Sequence, residues 1–291
     1  MPRISSLSSD LNQICRRNRD GSFATQRDRT YLLQLCANQL AEMGFGNLSA
    51  GGLKPKHIER LVARWQSDGL AVGTIKNRMS ALRWWAEKIS KENVVARQNR
   101  TYGIAARRYV TTESKARSFT EGNLGLVSDP YTLLSLQLQV AFGLRREESI
   151  KICPAWADRG DCIVLKGSWT KGGRPREIPI RNDEQRALLT EAKSLAGTGS
   201  LIPPDKSYVE QLRRFEHQCA RAGIQRVHGL RHQYAQTRYR ELTGWPAPAN
   251  GGPKSRQLSF EQRQVDRTAR LTISRELGHE REQITAVYLG R

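Results

Sequence analysis

The sequence has no apolar run approaching the roughly 20 residues that a bilayer-spanning helix needs, and its mean hydropathy is −0.62. A helical membrane protein is thereby excluded. Cysteine is scarce: Cys15, Cys36, Cys153, Cys162 and Cys219 are odd in number, scattered, and never in CxxC spacing. That pattern speaks against a disulfide framework and against a zinc ribbon. With no signal peptide, these residues read as reduced thiols in a cytoplasmic protein. Internal repeats and low-complexity blocks are also lacking, which removes the solenoid architectures. Finally, acidic residues are in short supply, with 28 against 48 lysines and arginines, a net charge of +20.

That surplus, with a pI near 10.3, points to a polyanionic partner: nucleic acid first, an acidic membrane surface second. It is not confined to a tail. Residues 1–117 hold 21 basic and 9 acidic residues, and residues 118–291 hold 27 and 19. A chain of 291 residues has room for one large domain or two ordinary ones.

Residues 1–22 are polar and basic and read as a flexible arm. From Thr25 to Met43, the apolar positions Leu32, Leu35, Cys36, Leu40 and Met43 follow helical spacing. After Pro55, Ile58, Leu61, Val62 and Trp65 make an i, i+3, i+4, i+7 stripe. Thr74 is a cap for a further helix whose inner side is Ile75, Met79, Leu82, Ala86 and Ile89. Lys76 and Arg83 lie on another face, with Asn77 and Arg78 beside them. In isolation they are a solvated surface; in a basic helical module they are candidate DNA contacts. Trp84 and Trp85 read as packing. Residues 23–95 thus form a helical DNA-binding domain. Residues 96–117, with Arg107 and Arg108 as further candidate contacts, read as a basic linker.

The remaining part, 118–291, opens with Thr120 as a cap. Pro130 starts an apolar helix that Gly143 interrupts. Cys162–Leu165 and Arg176–Ile180 are short strands joined by a turn at Lys171-Gly172-Gly173. Helices follow from Asp183, from Val209 and from His228. Residues 242–259 are an irregular Pro/Gly loop, and helix returns from Phe260 to about Glu276. The fold class is therefore mainly α with a small β-hairpin.

Four short motifs stand in this part: Gly143-Leu144-Arg145-Arg146-Glu147-Glu148, Thr170-Lys171-Gly172-Gly173, His228-Gly229-Leu230-Arg231-His232, and Leu277-Gly278-His279 with Tyr288 nine residues on. Each alone is ordinary: a solvated helix start, a common turn, a helix entry, an amphipathic tail. Together they supply what metal-free phosphodiester chemistry needs. Guanidiniums clamp phosphate oxygens bidentately and stay charged. A desolvated lysine is a proton donor. A phenol attacks and keeps the bond as an ester. His228 and His232 have the i, i+4 spacing of a zinc pair, but no third ligand is evident and position 229 is Gly.

In order and spacing this set resembles the tyrosine recombinase (phage integrase) family, from about residue 118 to the end. Residues 23–95 resemble that family's core-binding domain more loosely. The resemblance implies a two-lobed DNA clamp. It implies Arg145, Lys171, His228, Arg231 and His279 as catalytic residues, Tyr288 as nucleophile, Glu148 in support, and no metal or other cofactor. It implies a site-specific recombinase that integrates or excises a mobile element through a 3′-phosphotyrosine. The expected partners are double-stranded DNA with an inverted repeat, a homotetramer on paired sites formed from a monomer or weak oligomer, and accessory DNA-bending proteins. The expected place is the bacterial cytoplasm, at the nucleoid. A type IB topoisomerase-like enzyme and a non-catalytic regulator descended from an integrase are the rivals.

Two departures stand out. The stretch between His228 and His279 is longer than usual by the 242–259 loop. The sequence also runs only three residues past Tyr288, where many relatives carry a segment that docks on the next protomer. The 242–259 loop is accordingly expected to take part in protomer contact.

Overall fold

The computed structural model describes residues 6–107, 109–110, 113–279 and 282–291. The chain divides into two compact units, 1–108 and 109–291. The division falls inside the stretch read as a linker.

Unit 1 is helical: α1 (Ser6–Arg17), α2 (Phe23–Leu40), α3 (Pro55–Ser67) and α4 (Val72–Lys88). The first correction is α1. Residues 6–17, expected as part of a flexible arm, form a helix whose Leu7 and Leu11 enter the core. Ser22 caps α2 through Thr25 N–H. Its buried line is Leu33, Cys36, Ala37 and Leu40, with Leu32 and Leu35 only half-buried. On α3 the expected stripe, Ile58, Leu61, Val62 and Trp65, is buried throughout. Helix α4 begins before Thr74, with Ala71 at the cap position and no side-chain cap. Trp85 is buried and donates Nε1–H to the Ala50 carbonyl (3.1 Å), while Trp84 donates to Asp20 (2.8 Å). Ile104 also belongs to this core, with Tyr102 packed against it, so the first part of the expected linker is packed into unit 1.

Unit 2 contains α5 (Glu121–Gly125), α6 (Pro130–Phe142), α7 (Arg146–Lys151), α8 (Pro154–Ala157), β1 (Cys162–Leu165) and β2 (Arg176–Pro179). They are followed by α9 (Asp183–Ala196), α10 (Tyr208–Arg221), α11 (Gly229–Thr243), α12 (Phe260–Glu276) and α13 (Glu282–Leu289). Side-chain caps explain the starts: Thr120 for α5, Asp129 for α6, Asn182 rather than Asp183 for α9, Ser207 for α10 and Ser259 for α12. The strands pair antiparallel in the register Cys162↔Pro179 to Leu165↔Arg176. One core joins α6, β1, β2, α9, α11, α12 and α13, with Leu138, Phe142, Ile163, Ile178, Tyr239, Ile273 and Leu289 fully buried. No helix among the described residues is long and apolar enough to cross a membrane.

Candidate active site

The site is built where chain breaks in unit 2 meet. Helix α6 ends at Gly143, which takes φ 61° and ψ 28°. Only glycine fits, because a Cβ would lie 2.5 Å from the Tyr234 ring. The turn brings Arg145 to the entry of α7. There Glu148, three residues on, accepts the Arg145 backbone N–H (2.7 Å) and a guanidinium N–H (2.6 Å). Arg146 points elsewhere and pairs with Glu216 (2.8 Å).

Glu148 is fully buried and carries a second cation. Arg176, at the start of β2, donates both terminal nitrogens to its two oxygens (2.8 and 2.6 Å) and Nε to the Glu276 carbonyl (3.0 Å). Burial alone would raise the Glu148 pKa. The Arg176 hydrogen bonds and charge, with Arg145 and Arg231 behind them, instead hold it at about 2. Reasoning from sequence missed Arg176, which reads there as the polar end of a strand.

Arg231 projects from the first turn of α11 and is almost wholly buried. It donates to the carbonyls of Gly143 and Leu277. Arg145 also reaches the Leu277 carbonyl (3.5 Å), so the two guanidiniums lie side by side. Burial, then repulsion by Arg145, lowers the Arg231 pKa to about 10, which leaves it charged at neutral pH.

Tyr288, on α13, closes the arrangement. Its hydroxyl lies 3.4 Å from Arg231 Nε and 3.5 Å from His228 Nε2. Its ring is stacked with His279 (centroids 5.3 Å, 25°) and tilted on His232 (4.5 Å). His279 Nε2 is 3.4 Å from Arg231. All three histidines titrate low. Burial and then the charges of Arg231 and Arg145 bring His279 to about 3. Burial and then His228 bring His232 to about 4. His228 as a residue is exposed, but the inward side of its ring feels burial, Arg231 and Arg145, and is lowered as well. His228 and His232 meet edge to face at 5.7 Å.

Lys171 is exposed at the tip of the β1–β2 turn, which the Thr170 hydroxyl closes by donating to the Arg174 carbonyl (2.6 Å). It lines a cleft of about 590 Å³ together with Arg145, Arg176, Arg275 and His279. The expected catalytic residues therefore fall into two overlapping groups. Arg145, Lys171 and His279 face the cleft, and His228, Arg231, His279 and Tyr288 are in direct contact.

The expected DNA contacts of unit 1 are less uniform. Asn77 is exposed and Lys76 half-buried on α4. Arg78 lies over the Trp65 ring (5.2 Å) with Nε and one terminal nitrogen buried. Arg83 is engaged inside the unit, donating to the Ala96 carbonyl (3.1 and 3.0 Å) and to Asn99 (2.6 Å). It braces α4 against the segment that follows instead of standing free for a phosphate. Arg107 is exposed beside Gly73, and Arg108 lies outside the described residues.

Two family models match this chain: one described as phage integrase, N-terminal, over residues 4–95, and one described as integrase over residues 107–237. The chain belongs to the phage integrase, or tyrosine recombinase, family. It is thus a DNA-cleaving and rejoining enzyme, a site-specific recombinase. The integrase match includes Arg145, Lys171, His228 and Arg231, whereas His279 and Tyr288 lie beyond it.

Solved structures of similar fold include a lambda integrase dimer bound to a COC' core site, at TM-score 0.62 and 15% identity over 98% of this chain and 78% of that one. A XerH site-specific recombinase bound to palindromic difH substrate follows, at 0.60 and 17% over 98% and 81%. The Tn1549 transposon integrase with transposon right end DNA gives 0.59 and 13% over 98% and 95%. No curated protein matches the sequence significantly.

Proposed function

We propose that this recombinase cleaves one DNA strand per active site through Tyr288, acting within its own chain, and rejoins it without metal or ATP. One observation carries the reading: the Tyr288 hydroxyl contacts both Arg231 and His228 of the same chain. A phenol so placed donates its proton to neutral His228 Nε2 while its oxygen attacks phosphorus. The bond from phosphorus to the 5′ oxygen breaks, and Lys171 supplies the proton that this leaving oxygen needs. The product is a 3′-phosphotyrosine.

Charge on the phosphorane-like transition state is met by Arg145 and Arg231, with His279 bonding a non-bridging oxygen. Arg145 and Arg176 share a single buried carboxylate, Glu148, and Arg231 adds its charge nearby. The surplus positive charge suits a phosphodiester and takes the part a divalent ion has elsewhere. Glu148 keeps the cluster from flying apart.

The wider setting extends from the relatives. Lambda integrase forms a tetramer on a Holliday junction and XerH binds a palindromic site. We propose a homotetramer on paired inverted-repeat DNA, assembled from monomers or weak oligomers in the cytoplasm at the nucleoid, with DNA-bending helpers, during integration or excision of a mobile element. Lys76, Asn77 and Arg107 are the DNA contacts retained for unit 1.

The decisive experiment uses a nicked suicide duplex carrying the cognate site. An SDS-resistant adduct forms in EDTA and disappears in Tyr288→Phe. An adduct that persists in that variant, or one that requires divalent metal, refutes the mechanism. Strand exchange between two duplexes separates recombination from simple relaxation.

A further inference from the structure

A second buried polar assembly grips the chain just past Tyr288. Helix α13 is only 8 residues long, too short to hold itself in water. The carbonyls at its C-terminal end have no partner within the helix. One of these acceptors, and the carbonyl of the residue that follows the helix, are taken by side chains from neighbouring helices. Gln236 of α11 donates to the Tyr288 carbonyl (3.0 Å), and Arg270 of α12 donates to the Gly290 carbonyl (2.9 Å).

Arg270 is itself held. Its Nε pairs with Asp266 one turn earlier (2.8 Å), Tyr239 donates to the same carboxylate, and Trp245 Nε1 donates to the Tyr239 hydroxyl (3.2 Å). Burial, then Asp266, pushes the Tyr239 phenol up to about 12, which keeps it a donor. Trp245 opens the 242–259 loop, whose first half folds back on the C-terminus. Ala247 and Ala249 are buried there. Gly290, at φ 76°, lies so close that a Cβ would sit 2.7 Å from Ala249 N. This part of the loop is therefore packed within its own chain.

A buried ion pair contributes little net stability, because desolvation offsets the attraction. What it does give is a fixed geometry. We propose that Gln236, the Asp266–Arg270 pair and the Trp245–Ala249 segment form a latch that sets where the Tyr288 phenol stands relative to Arg231 and His228. The latch rests on the reading of Tyr288 as nucleophile. Its members are positioning residues, because they touch the backbone at Tyr288 and Gly290 and not the Tyr288 phenol.

The test uses the full chain on a nicked suicide duplex, in single turnover at saturating DNA. Asp266→Asn with Arg270→Met removes the grip without leaving one charge buried alone. The rate constant for adduct formation is expected to fall roughly 10- to 100-fold, the scale of a small misplacement of a reacting group. Adduct amplitude, DNA Kd and Tm should stay near wild type. Arg270→Lys should restore part of the rate, and Gly290→Ala should slow it likewise. A wild-type rate constant in the double variant overturns the proposal, as does a loss confined to amplitude or to Kd. Should the double variant not fold, Gln236→Leu carries the same expectation for the rate. Tyr288→Phe is measured in parallel: an adduct surviving there defeats the nucleophile assignment itself, whatever the latch variants do.

Discussion

The residue whose removal should do most damage to the fold of the site is Glu148. Its carboxylate is the shared partner of Arg145 and Arg176. Glu148→Gln keeps the shape but leaves two guanidiniums uncompensated, one of them buried. Breaking a buried pair of this kind costs about 3–5 kcal/mol, to be read by urea unfolding of the variant against wild type. The same residue scale governs pH. Folded Glu148 titrates at about 2, below the ordinary carboxylate value of 4.5, so its contribution is complete above pH 4.5 and vanishes as pH falls through 2. The histidines act earlier. His279 and His232 titrate at about 3 and about 4 when folded, against 6.5 in the unfolded chain. Between those limits the unfolded state takes up protons that the folded state refuses, so stability drops as pH falls below 6.5. His57 of unit 1, lowered by burial and then by Lys56 and Lys54, adds the same sign there. His232→Gln should flatten the decline of Tm between pH 7 and 5. An unchanged slope would mean that the folded His232 ring accepts its proton freely.

At the scale of elements, the turn that ends α6 connects packing to chemistry. The Gly143 carbonyl receives Arg231, while its α-carbon faces Tyr234. Gly143→Ala imposes a left-handed strain of about 1–2 kcal/mol and an overpacking cost of about 1–3 kcal/mol. A lower Tm together with slower cleavage is expected, whereas a loss of Tm alone would detach the turn from Arg231. Elements were legible where one periodicity had no competitor, as on α3, whose Ile58, Leu61, Val62 and Trp65 are all buried. On α2 three leucines within four positions offered two faces, and only packing against α1 and α4 selects Leu33. Helix α1 was overlooked although Leu7, Leu11, Ile14 and Cys15 follow helical spacing, because its polar and basic surroundings read as an arm until α2 covers that face. The motif residues were found by their order in the chain. Arg176 and Arg270 were not, since a charged residue looks solvated until its partners, 28 positions away at Glu148 and 20 away at Gly290, are in place.

For the whole molecule the governing quantity is the net charge of +20, divided between two separately packed units. Unit 1 has its own core and no part of the Arg231–Tyr288 cluster, so its excess of 19 basic over 8 acidic residues in 1–108 has no task in the chemistry. Those charges serve binding. Each phosphate neutralised releases condensed counterion and adds about 0.9 to the slope of log K against log salt. If both units lie on DNA, the full chain should show a slope of about −6 or steeper, and lose on the order of 10³ in affinity between 50 and 200 mM salt. Lys76→Ala and Arg107→Ala should each reduce the slope by about 1 and weaken cognate and random DNA alike, because phosphate contacts carry no sequence information. Arg83→Ala should instead lower the Tm of unit 1 and leave the slope alone, since its guanidinium already braces Ala96 and Asn99. Fluorescence anisotropy titrations across a salt series measure all three. A slope near −2, insensitive to the unit 1 variants, would place the binding charge in unit 2 and leave the basic surface of α4 without a nucleic-acid role.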